Sequence, residues 1–174
     1  VMEGVDSIVV STIQEREDLA RLYGVPERKV SVIPAGVDLQ RFRKLDKADA
    51  RRMLGLEESK LILSVGRMEP LKGFDILLSS LAMLGGRSDT RLVIVGGDQG
   101  RDREISRLRS LASELGLLDL VTFAGAVEQA ELPVYYSAAD IFVLPTYYES
   151  FGLAALEAMA CGVPVIASRV GGLE

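Results

Sequence analysis

The sequence contains no histidine, a single cysteine and no surplus of positive charge. Without histidine, Ser-His and Cys-His nucleophilic catalysis and histidine-ligated metal sites are excluded. Cys161 stands in the apolar run Met159-Ala-Cys-Gly-Val163, which fits a small buried hydrophobe and a reducing cytoplasm as its home. No Asp-x-Asp pair is present to hold a metal against a diphosphate, so metal-independent chemistry is expected. A net charge of −5 argues against a nucleic-acid or anionic-membrane surface, either of which needs clustered Lys and Arg. No apolar run reaches the length of a membrane span, no secretory pattern opens the sequence, and no internal repeat or low-complexity tract interrupts it. The run Gly96-Gly-Asp-Gln-Gly100 does not fit the Gly-x-Gly-x-x-Gly dinucleotide fingerprint, and nothing fits a Walker P-loop. A dehydrogenase and an ATPase are both disfavoured.

What is present is an ordinary globular composition. The 174 residues are 48% hydrophobic and 26% charged, enough for one well-packed domain. Ser7-Ile-Val-Val10 reads as a short strand, Ile13 to Tyr23 as a helix ended by Gly24-Val-Pro26, and Lys29-Val-Ser-Val-Ile33 as a second strand. Pro34-Ala-Gly-Val-Asp38 is a turn, and the polar stretch that follows holds a short helix, Asp49 to Leu56, closed by Gly55. From residue 61 the rhythm is regular. Strands at Leu61–Val65, Leu92–Val95, Val121–Phe123, Ile141–Leu144 and Val163–Ala167 alternate with helices at Phe74–Leu84, Arg103–Leu115, Glu131–Ser137 and Phe151–Ala160. In the second of these helices, Ile105, Leu108, Leu111, Ala112 and Leu115 fall on one face. Short apolar strands alternating with amphipathic helices predict an α/β fold, a Rossmann-like parallel sheet with helices on both faces. The sequence starts without methionine and stops just after a strand, where another helix is expected. It therefore reads as part of a larger protein, cut at both ends.

Several residues gather where the strands end. Glu149-Ser-Phe-Gly-Leu-Ala-Ala-Leu-Glu157 follows the apolar run Asp140-Ile-Phe-Val-Leu-Pro145 and puts two carboxylates eight positions apart. Over a fully helical stretch they would be separated by ~12 Å, which suits two ends of one elongated ligand better than a shared proton. Either glutamate alone also fits a plainer role, at a helix start or on a solvated helix face. Gly66-Arg67 closes the first strand of the regular region, and Lys72-Gly73 opens the helix after it. An arginine fork and a lysine point charge flanking one strand-to-helix turn make a diphosphate clamp. Gly96-Gly97 permits close backbone approach. The amides of Ser150, Phe151 and Gly152 are expected to face the same crevice, free to meet a phosphate.

These residues carry a resemblance. Gly66-Arg67 with Lys72-Gly73, then Leu92-Val-Ile-Val-Gly96 and Val121-Thr-Phe-Ala-Gly125, closely resemble retaining nucleotide-sugar glycosyltransferases of the GT-B fold. Glu149 to Glu157, continued by Ala158-Met-Ala-Cys-Gly-Val-Pro-Val165, is similar to their E-x7-E motif, and Ile33-Pro-Ala-Gly-Val-Asp38 with Phe42 to their interdomain crossing. The nearest branch is that of the sucrose-phosphate synthases and D-inositol-3-phosphate glycosyltransferases. The resemblance implies the C-terminal half of a GT-B fold. Residues 1–33 would end the acceptor domain and cross between domains, 34–60 would form a linker with a short helix, and 61–174 would form an incomplete donor-binding domain. It further implies that Arg67 and Lys72 bind the donor diphosphate beside Gly66, and that Glu149 faces the sugar hydroxyls. Glu157 would hold the ribose, the backbone of Phe151, Gly152 and Leu153 would approach the phosphates, and the backbone of Val127 would read the base. Arg67, Lys72 and Glu149 would act in catalysis, with no cofactor and no metal. The partner would be a nucleoside-diphosphate sugar, UDP-glucose or UDP-N-acetylglucosamine being the suggested donors. The acceptor, its domain and a family histidine near the reaction centre would lie outside this sequence, and membrane docking of the full protein stays open. A non-catalytic nucleotide-sugar binding module and a GT-B epimerase remain as alternatives.

Overall fold

The computed structural model describes residues 4–56, 60–85, 89–97 and 103–174. It begins with strand β1 (Ile8–Val10) and helix α1 (Ile13–Tyr23). Thr12 caps α1 reciprocally. The Glu15 amide donates to Thr12 Oγ1 at 3.1 Å, while Glu15 Oε2 accepts from the amides of Thr12 at 3.3 Å and Ser11 at 2.7 Å. This is the pairing expected of a threonine three residues before a glutamate. Strand β2 (Val30–Val32) returns parallel to β1, with Ile8 opposite Val30, and the two form a sheet of their own.

Helix α2 (Lys47–Leu54) starts two residues earlier than the sequence suggested, because Asp46 caps it through a 3.0 Å bond from the Asp49 amide. One turn apart on α2, Lys47 Nζ and Arg51 Nη2 each reach Asp140 at 2.6 Å. Asp140 Oδ2 also accepts from the Leu61 amide at 2.7 Å. Burial raises the proton affinity of Asp140, but bonds from Lys47 and the Leu61 amide, with the charges of Lys47 and Arg51, hold its carboxyl below the usual value.

Five parallel strands make the main sheet: β3 (Lys60–Val65), β4 (Thr90–Val95), β5 (Val121–Gly125), β6 (Ile141–Leu144) and β7 (Val165–Ala167). Their order is β5-β4-β3-β6-β7, so the chain runs outward from β3 in one direction, then returns to β3 and runs outward in the other. Helices α3 (Phe74–Met83), α4 (Arg103–Glu114), α5 (Leu132–Ala138) and α6 (Leu153–Ala160) lie between the strands in sequence. The alternation within β4 divides the core. Leu92 and Ile94 pack with Leu78, Ile105 and Leu108 on one side, and Val93 and Val95 with Leu63, Tyr136 and Phe142 on the other.

Two boundaries move for identifiable reasons. Strand β7 begins at Val165 rather than Val163, because the Val163 amide is already bonded to Ala158 O at 3.1 Å, finishing α6. Helix α6 begins at Leu153 rather than Phe151, because Gly152 takes a left-handed conformation with φ 91°. The stretch 149–157 is therefore helical only in its second half, and the axial separation expected of a continuous helix does not apply.

Candidate functional site

In an open parallel sheet, two neighbouring strands whose connections leave in opposite directions open a crevice at their carboxyl ends. Here those strands are β3 and β6. After β3 the chain passes Gly66 and Arg67, makes a 3-10 turn at Pro70–Lys72 and enters α3 through Gly73. Only glycine fits there: φ is 66°, and a Cβ would lie 2.0 Å from Pro145 O at the end of β6. Thr146, 2% exposed, ties the two loops together. Its hydroxyl lies 2.8 Å from Leu71 O and 2.7 Å from Tyr148 O, and the Tyr147 amide donates to Leu71 O at 2.8 Å.

The closure of these loops brings Lys72 to Glu149. Lys72 Nζ donates to Glu149 Oε2 at 2.8 Å, with the side chains 16% and 15% exposed. The backbone of Glu149 is held from behind, its carbonyl accepting from the Gly172 amide at 2.9 Å. Beyond it, the amides of Ala155 and Leu156 both turn back to Gly152 O, at 3.0 and 3.2 Å. Those of Gly152, Leu153 and Ala154 find no acceptor among the described residues. The amides of Ser150 and Phe151, expected to be open together with that of Gly152, likewise find no acceptor among the described residues, although α6 itself starts later. Ser150 and Phe151 precede the cap.

Glu157, one turn into α6, stands apart from this pair. Its Oε2 accepts a 2.8 Å bond from the hydroxyl of Tyr136. Burial raises the proton affinity of Glu157, and the Tyr136 bond acts the other way. The phenol is pushed far above its ordinary range by burial and then by the Glu157 charge, so it stays protonated and donates. Cys161 is buried and unpaired, its thiol pushed up to about 11 by burial and then by Glu157, which leaves it inert at neutral pH.

The expected clamp of Arg67 with Lys72 is only half assembled. Arg67 is 79% exposed at its side chain and pairs with Glu69 at 2.8 Å, not with Lys72 or Glu149. Gly66 donates to Val95 O at 3.0 Å, and a Cβ on Gly96 would sit 1.9 Å from Gly66 O, so β3 and β4 leave the sheet in backbone contact. Val127, partly buried, follows Ala126, whose amide donates to Gly97 O at 2.7 Å. Sequence reasoning missed Glu69, Thr146 and Tyr136. A polar residue straight after the β6 run was a usable signal for Thr146. Nothing local marked the other two.

Residues 46–174 match the family model described as Glycosyl transferases group 1. The chain belongs to the glycosyl transferases group 1 family. Within that family it is 46% identical over 180 residues to D-inositol 3-phosphate glycosyltransferase 2 of Catenulispora acidiphila, covering 99% of this chain and 42% of the relative. It is also 46% identical to the D-inositol 3-phosphate glycosyltransferase of Acidothermus cellulolyticus, of which it covers 40%. Among solved structures, sucrose-phosphate synthase of Thermosynechococcus elongatus superposes with a TM-score of 0.86 at 41% identity, over 99% of this chain and 43% of that one. Anabaena HepE in complex with UDP-glucose superposes with a TM-score of 0.87 at 25% identity, over 97% and 46%. The chain thus spans about two-fifths of the length of the curated relatives it matches.

Proposed function

We propose that the crevice between β3 and β6 binds the nucleoside diphosphate of a sugar donor, and that the protein carrying it transfers the sugar to an acceptor. The observation that carries this reading is the Lys72–Glu149 pair, closed at 2.8 Å where the sheet changes direction and followed by the open amides at the head of α6. A lysine ammonium has three donors, so Lys72 can keep Glu149 and take a phosphate oxygen as well. The amides of Gly152 and Leu153, at the positive end of α6, add neutral donors for the same oxygens. Among the described residues Arg67 is held by one exposed ion pair, worth about 0–1 kcal/mol, and can swing onto the diphosphate. As the sugar–oxygen bond breaks, charge grows on the departing diphosphate, and donors already aimed there lower the barrier. Glu149, anchored by Lys72, accepts from sugar hydroxyls.

A uridine nucleotide is supported by HepE, whose structure holds UDP-glucose. The names of the D-inositol 3-phosphate glycosyltransferases support sugar transfer. In this reading residues 61–174 serve as the donor-binding domain, transfer retains the anomeric configuration as the family resemblance implies, and no divalent cation takes part because Lys72, Arg67 and α6 supply the positive charge. The cytoplasm is the proposed compartment, consistent with a free buried cysteine. No helix among the described residues is long and apolar enough to cross a membrane.

Calorimetric titration of the protein with UDP, with NAD as the comparison ligand, tests the reading. Saturable binding of UDP and none of NAD is the expected result. Binding of NAD alone overturns it.

A further inference from the structure

We infer that Tyr136 is a positioning residue for the nucleotide: its hydroxyl fixes the Glu157 carboxylate so that the remaining oxygen, Oε1, is presented to the ribose hydroxyls. The inference rests on the donor-site reading above and adds to it a residue that no motif contains. Tyr136 is 0% exposed. Its ring is wedged edge-to-face between Phe42, at 6.1 Å between centroids, and Phe142, at 5.6 Å. A ring held on two sides cannot swing, so the direction of its O–H bond is limited to rotation about the C–O axis. A buried phenol needs a partner. Among the described residues that partner is Glu157 Oε2 at 2.8 Å, and no other side chain bonds this carboxylate.

A plain core role does not explain the hydroxyl. Phenylalanine would make the same ring contacts without burying an oxygen against a carboxylate. What the hydroxyl adds is restraint. Glu157 has three rotatable side-chain bonds, and holding it in one geometry before the ligand arrives removes part of the ordering cost of binding. The position suits the ligand, too. Glu157 lies four residues after Leu153, on the same helix face and ~6 Å further along the axis. A nucleoside diphosphate with its phosphates at the head of α6 places its ribose one turn behind.

The restraint reaches beyond the sheet. Phe42 belongs to the connection between β2 and α2, so the seat of the Tyr136 ring is completed by a segment from outside the five-stranded unit. Loosening that connection would loosen Glu157 without touching it.

The test measures ribose discrimination. Wild type, Tyr136→Phe and Glu157→Ala are titrated with UDP, ADP and GDP and with their 2′,3′-dideoxy counterparts. For the nucleotide that binds, wild type is expected to prefer the ribose form about tenfold or more, the scale of a hydrogen bond to a charged group. Tyr136→Phe should bring that preference to about threefold or less, near the Glu157→Ala floor, with affinity for the dideoxy form unchanged. A purely structural role would lower both affinities together, and undiminished discrimination in Tyr136→Phe overturns the inference. Should that variant not fold, 3-fluorotyrosine at position 136 replaces it. Its 19F signal is expected to move with the ribonucleotide and not with the dideoxy form, and equal movement overturns the inference. Failure of wild type to bind any of the three nucleotides overturns the donor-site reading, and this inference with it.

Discussion

Lys72 and Glu149 face each other at 2.8 Å with side chains only 16% and 15% exposed. Removing one member of such a pair leaves an uncompensated charge, whereas removing both leaves none. Lys72→Met is therefore expected to lower stability by about 3 kcal/mol, and Lys72→Met with Glu149→Gln to recover most of it, as read from urea unfolding midpoints. Nucleotide affinity should stay low in both variants, because the double variant restores the fold and not the ammonium. A double variant that binds UDP as wild type does would remove Lys72 from the diphosphate. The spacing of Glu149 and Glu157 was legible in the sequence, as was the pairing of a lysine with a strand-to-helix turn. The partners were not. Tyr136 lies 21 residues before Glu157, on the far side of β6, and the bond between them exists only after α5 and α6 pack. Lys72 and Glu149 are 77 residues apart, and neither motif names the other.

At the scale of elements, periodicity served well wherever one face is buried. Of the five residues expected on one face of the helix, Ile105, Leu108 and Ala112 are buried and Leu111 and Leu115 partly buried against the same core, and each strand of the main sheet was found at least in part. Element ends were less legible, because they are decided by backbone conformations that composition does not encode. Gly152 delays α6 by two residues, and Asp46 advances α2 by two. The turn into α3 depends on such a conformation as well. Gly73→Ala combines a left-handed φ with a Cβ 2.0 Å from Pro145 O, so it must push β3's loop away from β6's. A loss of more than about 1 kcal/mol in the unfolding free energy is expected. Because the displaced loop carries Lys72, nucleotide affinity should fall in the same variant. A Gly73→Ala protein as stable as wild type would show that the close approach of Gly73 to Pro145 does not hold the two loops together.

At the scale of the whole molecule, Asp140 joins the connecting helix to the main sheet, where α2, β3 and β6 meet through Lys47, Arg51 and the Leu61 amide. A carboxyl held below its ordinary value in the fold contributes stability that is complete above the unfolded value of about 3.9 and disappears as pH falls through the folded one. Asp140→Asn is expected to lower stability by about 1–2 kcal/mol near neutrality, a modest figure because the carboxylate is partly exposed. The difference from wild type should be constant between about pH 7 and pH 5 and shrink below about pH 4. A difference that widens on acidification would show that Asp140 is not held by these cations. The sequence showed Asp140 only as the start of an apolar run, because its partners come from elements that touch it nowhere in sequence.

The central position of β3 has a consequence for how the protein is made. Its neighbour β6 arrives late: Ser64 bonds to Val143 O across 79 residues of chain. At a ribosomal pace of about 5–20 residues per second, one edge of the central strand waits about 4–16 s for its partner. During those seconds β3 is an edge strand of a half-built sheet, apolar on both faces and open to any other nascent chain that offers a strand. The order that creates the binding crevice in the finished molecule also sets the interval in which the molecule is easiest to lose.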